Sequence, residues 1–450
     1  PLTVPRHWFS MVNIFAKVFI SIILSTEMSI KTVFEARKHN PQFNTSYPLS
    51  PCDWIDYRVP APLSFAQDKA LSFYIHIPFC KQLCLFCEYT RMVCTDVQLQ
   101  THYLEVLAND IAQFKKGHPG MELQGFDLGG GTPTALSQDN FSRLMDVYDE
   151  AVEGLTLAND YEPSIEATFN TLTPEKLQRM AHSGIRRLSL GVQSADVGVL
   201  SSQHRENVAQ EVMAKWMNEA YRAGLEKINI DLMYGLKGQG EATIARDLHA
   251  IAQLMPQQVT LYELRTNMLA HKDVPAKEQL YHAYRRYYEA FIALGYHAQF
   301  GQNTFSLCKT DLGVSSYLRA RMVNGASYKG FGLSAQSMSK EGIAYNCGKN
   351  SSQLSAFIRQ DTYAEADVYQ LPQTQLAAKY IAISGYFGSF SLAKVLAVND
   401  SEWQRRVHEA LTFCLNEGLV CISGGGERVQ ITEKGFRYYG AVLSLFYLGT

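Results

Sequence analysis

From residue 71 onward the chain alternates between two kinds of apolar pattern. Short runs, often β-branched and closed by Gly, Pro or Asn, occur at 71–77, 125–130, 164–169, 187–193, 227–235 and 258–264. Runs of that length and composition predict strands. Between them, apolar residues recur at helical spacing: Leu104, Leu107, Ile111 and Phe114 fall on one face, as do Phe141, Leu144 and Tyr148. Thr173-Pro174-Glu175 predicts a helix start, with the hydroxyl capping the first turn and the proline taking its first position. Six such repeats in about 200 residues predict a parallel sheet, because parallel neighbours need a crossover of that size. An open doubly wound sheet and a partial barrel both satisfy the pattern.

A different organisation begins near Leu371. Helical segments at 373–387 and 402–416 precede the alternating run 419–423, the turn Gly424-Gly425-Gly426-Glu427 and a second run at 428–432. Alternation on both sides of a glycine-rich turn predicts a hairpin. A final helix near 433–447 is apolar on most faces. Helix-helix-hairpin is a winged-helix pattern, and the hairpin's one basic residue, Arg428, favours a structural cap over a DNA reader.

Apolar residues make up 46% of the 450 and charged residues 19%, enough for a large core and two or three domains. Lys+Arg 41 against Asp+Glu 43 gives a net charge of −2, so no basic excess points to nucleic acid. The amino-terminal stretch 8–24 is mostly apolar, but it is short for a membrane span and carries Lys17. No small-x-small cleavage site follows it, so it reads as leader upstream of a start at Met11 or Met28. The divisions expected are an extension over 1–60 (1–27 being leader), a barrel over 61–310, a connecting segment covering the site over 311–370, and a winged-helix-like domain over 371–450.

An odd count of 9 cysteines, three of them crowded together, argues against a disulfide scaffold and for a reducing, cytoplasmic setting. The crowded three follow the first strand: Tyr74-Ile75-His76-Ile77-Pro78-Phe79-Cys80, then Cys84 and Cys87. Thiolates suit zinc or iron–sulfur, and a structural zinc site wants four protein ligands, for which Cys94 is the only nearby candidate. Three ligands on a [4Fe–4S] cluster leave one iron open to a small molecule.

This spacing, with Phe86 at the aromatic position, is the motif of the radical S-adenosylmethionine (SAM) enzymes. Residues 70–450 more closely resemble the oxygen-independent coproporphyrinogen III oxidase group, through several motifs in order. After the cysteine stretch come Gly129-Gly130-Gly131-Thr132-Pro133-Thr134, Glu166, Gly191-Val192-Gln193, Arg205, Asn229-Ile230-Asp231-Leu232-Met233-Tyr234-Gly235 and Ile431-Thr432-Glu433-Lys434-Gly435. The resemblance implies an α/β fold, a partial (β/α)6 TIM-like barrel with the cofactors at the carboxyl ends of its strands. It implies a [4Fe–4S] cluster on Cys80, Cys84 and Cys87. It also implies one or two SAM molecules contacted by Tyr74, Phe86, Gly130, Gly131, Thr132, Glu166, Gln193, Arg205 and Asp231. The reaction implied is reductive cleavage of SAM to a 5′-deoxyadenosyl radical, which removes hydrogen from a tetrapyrrole substrate in porphyrin biosynthesis. A low-potential donor such as flavodoxin or ferredoxin would supply the electron.

Three positions depart from the oxidases. Tyr89 stands where they usually carry another cysteine. Arg265 ends the sixth strand where they have a small residue of a second SAM site, and Gln336 replaces an aliphatic residue there. Tyr74 and Arg265 are the candidate catalytic side chains; Arg265 and Gln336 also count as candidate cofactor contacts. Three readings follow: oxidative decarboxylation of a tetrapyrrole, a related methyl transfer or anaerobic haem opening, and a haem chaperone. The chaperones' His-Asn-x-x-Tyr-Trp motif is missing from the chain.

Overall fold

The computed structural model describes residues 29–38, 47–265, 275–348 and 354–448; the stretch 8–24 and both candidate starts lie outside them. Six strands coincide with the six predicted runs: β1 (Ala70–Ile77), β2 (Glu122–Gly130), β3 (Ser164–Ala167), β4 (Arg187–Gln193), β5 (Lys227–Tyr234) and β6 (Gln258–Glu263). Each pairs in parallel with the next. The crossovers are α1 (Val97–Gly117), α2 (Gln138–Val152), α3 (Pro174–His182), α4 (Gln210–Ala223) and α5 (Glu241–Leu254), with α6 (Lys277–Ala293) after β6.

Strand order decides between the two architectures the pattern allowed. A doubly wound sheet reverses its order at a switch point, whereas here β1 to β6 run in unbroken sequence and successive helices pack side by side. All the helices therefore lie on one face, and the sheet curves around a lumen on the other. The curve does not close. β7 (Thr304–Ser306) caps the β6 edge antiparallel. On the other side β8 (Tyr328–Phe331) pairs in parallel with β1, and β9 (Gln336–Met338), β10 (Gly342–Asn346) and β11 (Glu365–Gln370) continue antiparallel. The stretch 311–370, expected as a connecting cover, thus contributes four strands to the sheet.

The two faces of β1 differ as strand geometry requires. Leu71, Phe73, Ile75 and Ile77 are fully buried beneath the helices, where Phe73 meets Phe114, Phe126 and Phe331 edge-on. Tyr74 and His76 face the lumen. On α1, Leu104, Leu107 and Ile111 are buried as their spacing predicts, and Thr173 caps α3 by accepting from the Lys176 N–H, with Pro174 at the first position.

The carboxyl-terminal unit comprises α7 (Gln373–Gly385), β12 (Ser389–Ser391), α8 (Ser401–Asn416), β13 (Val420–Ser423), β14 (Arg428–Ile431) and α9 (Tyr439–Tyr447). The predicted hairpin gains a third strand, β12, alongside β14. Arg428 donates to the Ser389 hydroxyl and carbonyl, so it serves the sheet. The predicted last helix breaks in two around Arg437-Tyr438. Its apolar residues share one core with Tyr317, Tyr328, Ile343 and Tyr369, which fixes this unit to the added strands. Among the described residues no helix is long and apolar enough to cross a membrane.

One segment enters the lumen from below. Residues 315–318 lie across the inner face of β2, where Ser315 Oγ donates to Asp127 Oδ2 at 2.7 Å and Tyr317 stacks on Tyr74 at 5.8 Å. Gly125 makes this possible, since a Cβ there would stand 2.3 Å from the backbone nitrogen of Tyr317. Gly125→Ala is expected to cost about 1–3 kcal/mol, as overpacking against backbone does. A melting temperature equal to wild type would show that the segment has room to move.

Candidate active site

The loop that carries the three cysteines is held at both ends. Phe79–Cys80 pairs with Met92–Val93, and the Met92 N–H donates to Pro78 O at 2.7 Å. Inside it, Arg91 Nη2 donates to Cys84 O at 2.5 Å and the Leu85 N–H to Gln203 O at 3.0 Å. His76 adds a further tie. Burial lowers its pKa to about 4, so its ring is neutral, with Nε2–H donating to Thr90 O at 2.7 Å and Nδ1 free to accept from Tyr74 OH at 3.3 Å. Sequence reasoning passed over His76 and Arg91; their position in and beside the cysteine motif was the available signal.

Cys80, Cys84 and Cys87 are free thiols at the mouth of the lumen, close enough that the other two oppose the ionisation of Cys80. Burial pushes Cys80 up to about 11 and raises Cys87 too, while Arg91 works in the opposite direction on both. Arg205 Nη1 lies 3.5 Å from Cys84 Sγ. Two guanidinium groups thus attend the trio, which suits thiolates bound to iron, and loading iron must release protons. Cys94 takes no part: its thiol donates to Asp96 O at 3.6 Å. Among the described residues no group of three His, Cys, Asp or Glu side chains is arranged around a single ion. A cubane places its ligands on separate irons, so it asks for a spread trio.

Beside the loop, the end of β2 is bare. A Cβ on Gly131 would lie 2.7 Å from Phe79 O and 2.9 Å from Cys80 Sγ, so only glycine admits the loop. Gly130, at φ +111°, donates its N–H to Glu166 Oε2 at 3.0 Å, and Thr132 Oγ1 sits 4.0 Å from Cys80 Sγ. Solvent reaches Glu166 through the open mouth. Even so, the enclosing protein pushes its pKa up to about 8, first through lost solvation and then through Asp231.

Asp231 is also raised by lost solvation, and it accepts from Ser189 Oγ at 3.0 Å and Asn229 Nδ2 at 2.7 Å. Deeper in the lumen, desolvation pushes Asp127 up to about 7. Arg187, held by Gln258 at 2.6 Å and Ser164 at 3.0 Å, is the cation that all three acids feel. Gln193 has φ +68° and a buried Oε1 without a partner. Three crowded carboxylic acids and an orphaned acceptor form a chamber that favours a cationic ligand. SAM, with a sulfonium and an ammonium group, has that chemistry.

The remaining predicted residues occupy distinct places. Arg205, expected to contact SAM, donates to Gly191 O and lies against Cys84 Sγ. Phe86 packs on Val199, Met233, Leu236 and Leu264 above the end of β5. Arg265 forms an ion pair with Glu88 at 3.5 Å, next to the third cysteine. Gln336 stands outside the acidic chamber, its oxygen accepting from Arg321 at 3.0 Å and from Tyr328, and its nitrogen donating to Tyr345 at 2.7 Å. A cleft lined by Lys81, Thr132, Asn170, Gly191, Arg205 and Met213 opens beside the loop.

Residues 74–251, which include the loop and five of the six strand ends, match the radical SAM superfamily. Over that stretch the chain carries a radical SAM domain. Radical SAM proteins use a [4Fe–4S] cluster and SAM. This one groups with the oxygen-independent coproporphyrinogen III oxidases and their relatives. It is 32% identical over 195 residues to the oxidase of Escherichia coli (43% of this chain, 42% of the relative). It is 30% identical over 195 residues to the heme chaperone HemW of Bacillus subtilis (43% and 50%). With the oxidase of Salmonella typhimurium it shares 29% over 322 residues (67% and 69%). The first two matches thus cover half or less of the relatives' own length. The solved structure of the Escherichia coli coproporphyrinogen III oxidase has the same fold, with a TM-score of 0.69 at 24% identity over 85% of this chain and 91% of that one.

Two outcomes are expected. Anaerobically reconstituted Cys84→Ala loses the brown cluster chromophore and SAM cleavage, whereas retention of both would remove Cys84 from the ligand set. Asp127→Asn tests the acidic chamber in the metal-free protein. A carboxyl raised from 3.8 to about 7 is favoured neutral by the fold, so wild-type stability falls as pH climbs between those values and is level above them. The asparagine variant lacks that fall, and its advantage in urea denaturation grows across the same window. An advantage independent of pH would mean that the acid is unperturbed.

Proposed function

We propose that this radical SAM protein is an oxidoreductase acting on a tetrapyrrole, by oxidative decarboxylation of a propionate side chain like that of the coproporphyrinogen III oxidases. The observation that carries the reading is the juxtaposition at the mouth of one lumen: a three-thiol loop attended by two arginines, beside an acidic chamber suited to a sulfonium. Support for the substrate class comes from the relatives, whose names all concern a tetrapyrrole, either coproporphyrinogen III or heme. The alignment with the Salmonella typhimurium oxidase is also the longest of these, at 322 residues against 195 for the Bacillus subtilis chaperone.

In this reading Cys80, Cys84 and Cys87 hold the cluster, and Gly130, Gly131 and Thr132 leave space beside it. Bound together, cluster and SAM supply one-electron cleavage chemistry able to take hydrogen from an unactivated carbon. Glu166 and Asp231 bind the cationic end of SAM, and a cation beside Glu166 returns its pKa toward the ordinary carboxylate range. Gln193 offers its unpaired oxygen to the same ligand. Arg205 neutralises the cluster at Cys84. Tyr74, tied to His76 and stacked on Tyr317, closes the lumen from water and fixes the floor on which the reacting carbon rests. A low-potential donor such as flavodoxin or ferredoxin is the partner this chemistry requires, in a reducing, cytoplasmic setting.

Arg265 favours a second reading. Its guanidinium sits beside Cys87 through Glu88, where the oxidases keep a small residue, and this suits a second ligand handled differently, as in methyl transfer. Anaerobic turnover with SAM, porphyrinogens and heme, followed by mass spectrometry, separates the readings. Decarboxylation gives 5′-deoxyadenosine and carbon dioxide. Methylthioadenosine or S-adenosylhomocysteine gives the case to methyl transfer, and no product from SAM leaves the binding function of a chaperone.

A further inference from the structure

Two cations stand outside the acidic chamber, and among the described residues neither has a carboxylate partner. Arg321 lies in the short helical turn Arg319–Val323, just after the segment that floors the lumen. Its guanidinium faces the Tyr328 ring at 4.6 Å and the Tyr317 ring at 5.9 Å, and it donates to Gln336 Oε1 at 3.0 Å and Tyr317 OH at 3.3 Å. Every one of those partners is neutral, and the buried Nε has no hydrogen-bond partner among the described residues. Lys379, on α7, donates to Tyr47 O at 2.6 Å and lies 6.0 Å from the Trp54 ring.

The turn that carries Arg321 packs directly on α7, where Tyr380 OH donates to Val323 O at 3.3 Å and Ser384 Oγ to Met322 O. Burial pulls Lys379 down to about 7, and Arg321 and then Arg265 push it in the same direction. Like charges enclosed together without a counter-charge are unfavourable, and proteins keep such groups where an anion completes them. Here no described carboxylate pairs with either cation, and an acid that feels Arg321, Asp127, lies inside the lumen. Arg265 has Glu88; Arg321 and Lys379 have only hydroxyls, an amide and a carbonyl.

We propose that Arg321 and Lys379 form an anion subsite that binds a carboxylate arm of a small molecule seated over the barrel mouth. Carboxylate is the class that fits, because a guanidinium fork presents paired donors to it and the Lys379 ammonium adds a point charge. Tyr317 and Tyr328, both buried and with their rings at 81° to each other, hold the Arg321 guanidinium from behind. The subsite is one ring from the lumen, since the Tyr317 that accepts from Arg321 also stacks on Tyr74. Charge is thus divided about Tyr317, with the acids of the lumen on one side and Arg321 and Lys379 on the other. The inference deepens the proposed function and rests on it for the identity of the ligand. Two carboxylates qualify, a propionate of the tetrapyrrole and the carboxylate of a second SAM.

The test uses the full chain, anaerobically reconstituted, as wild type and as Arg321→Gln, Lys379→Gln and the charge-keeping Arg321→Lys. Coproporphyrin III and its tetramethyl ester are titrated by fluorescence in one detergent buffer, and bound SAM is counted by equilibrium dialysis. Weakening of the free acid by about tenfold or more in both glutamine variants is expected, with partial recovery in Arg321→Lys and with the ester unaffected by any substitution. Loss of one of two bound SAM equivalents, with porphyrin affinity intact, would assign the same subsite to SAM. Unchanged affinity for both ligands in both glutamine variants overturns the proposal, as does a wild-type chain that binds neither the porphyrin acid nor a second SAM. The cluster's electron paramagnetic resonance signal and SAM cleavage, measured on the same samples, report separately on the radical SAM reading. A chain that cleaves SAM normally and ignores the porphyrin acid fails only the subsite.

Discussion

The inner face of β2 is almost without side chains, and the rest of the site depends on that bareness. Closed parallel barrels fill their interiors with layers of branched residues. Here Gly125, Gly129 and Gly131 hold the space open at three heights. A Cβ on the first would strike the backbone of Tyr317, on the second the carboxyl of Glu166 at 2.7 Å, and on the third the sulfur of Cys80. Floor segment, acidic chamber and cysteine loop each use the room that one of these glycines leaves. The same strand buries Leu123, Phe126 and Leu128 on its other face, so the strand gives up nothing in its helix-facing core to keep the lumen clear.

An open lumen in a protein interior has to be lined by something, and charge is the lining chosen. Asp127, Glu166 and Asp231 are crowded around Arg187, and each has its proton held more tightly than in water. That arrangement is poised for a ligand bringing positive charge, which relieves the repulsion on arrival. The cations outside it follow the converse logic. The cysteine loop lies on the boundary, with Arg91 and Arg205 on its thiol side and the Glu88–Arg265 pair on the other. A cluster held there faces an electropositive shell, which favours the anionic thiolate state.

The carboxyl-terminal unit has a structural part in this scheme. Its core is continuous with the added strands β8 to β11, and α7, which carries Lys379, packs on the turn that holds Arg321. The hairpin's single arginine is spent on Ser389. The winged-helix pattern is therefore a support packed against the added strands. That role comes from the packing of Tyr317, Tyr328 and Tyr369 against it, contacts between residues far apart in sequence.

By itself the sequence determined the strands and helices of the half-barrel, because period-two and period-3.6 patterns are local, and it determined the cysteine trio, because thiol spacing on one loop needs no partner from elsewhere. It named Glu166, Gln193 and Asp231 through motifs at strand ends. It was silent on Arg187, Arg321 and Lys379, whose meaning lies in which charges surround them, and on the contact of Arg205 with Cys84. It read 311–370 as a connecting cover without its four short strands, which carry little period to detect, and its periodicity by itself did not separate a doubly wound sheet from a barrel. Only the tertiary structure decided these, for one physical reason. Strand order, lumen and charge separation are all set by neighbours brought together across the sheet, and a linear pattern records which face a residue takes, not whom it meets there.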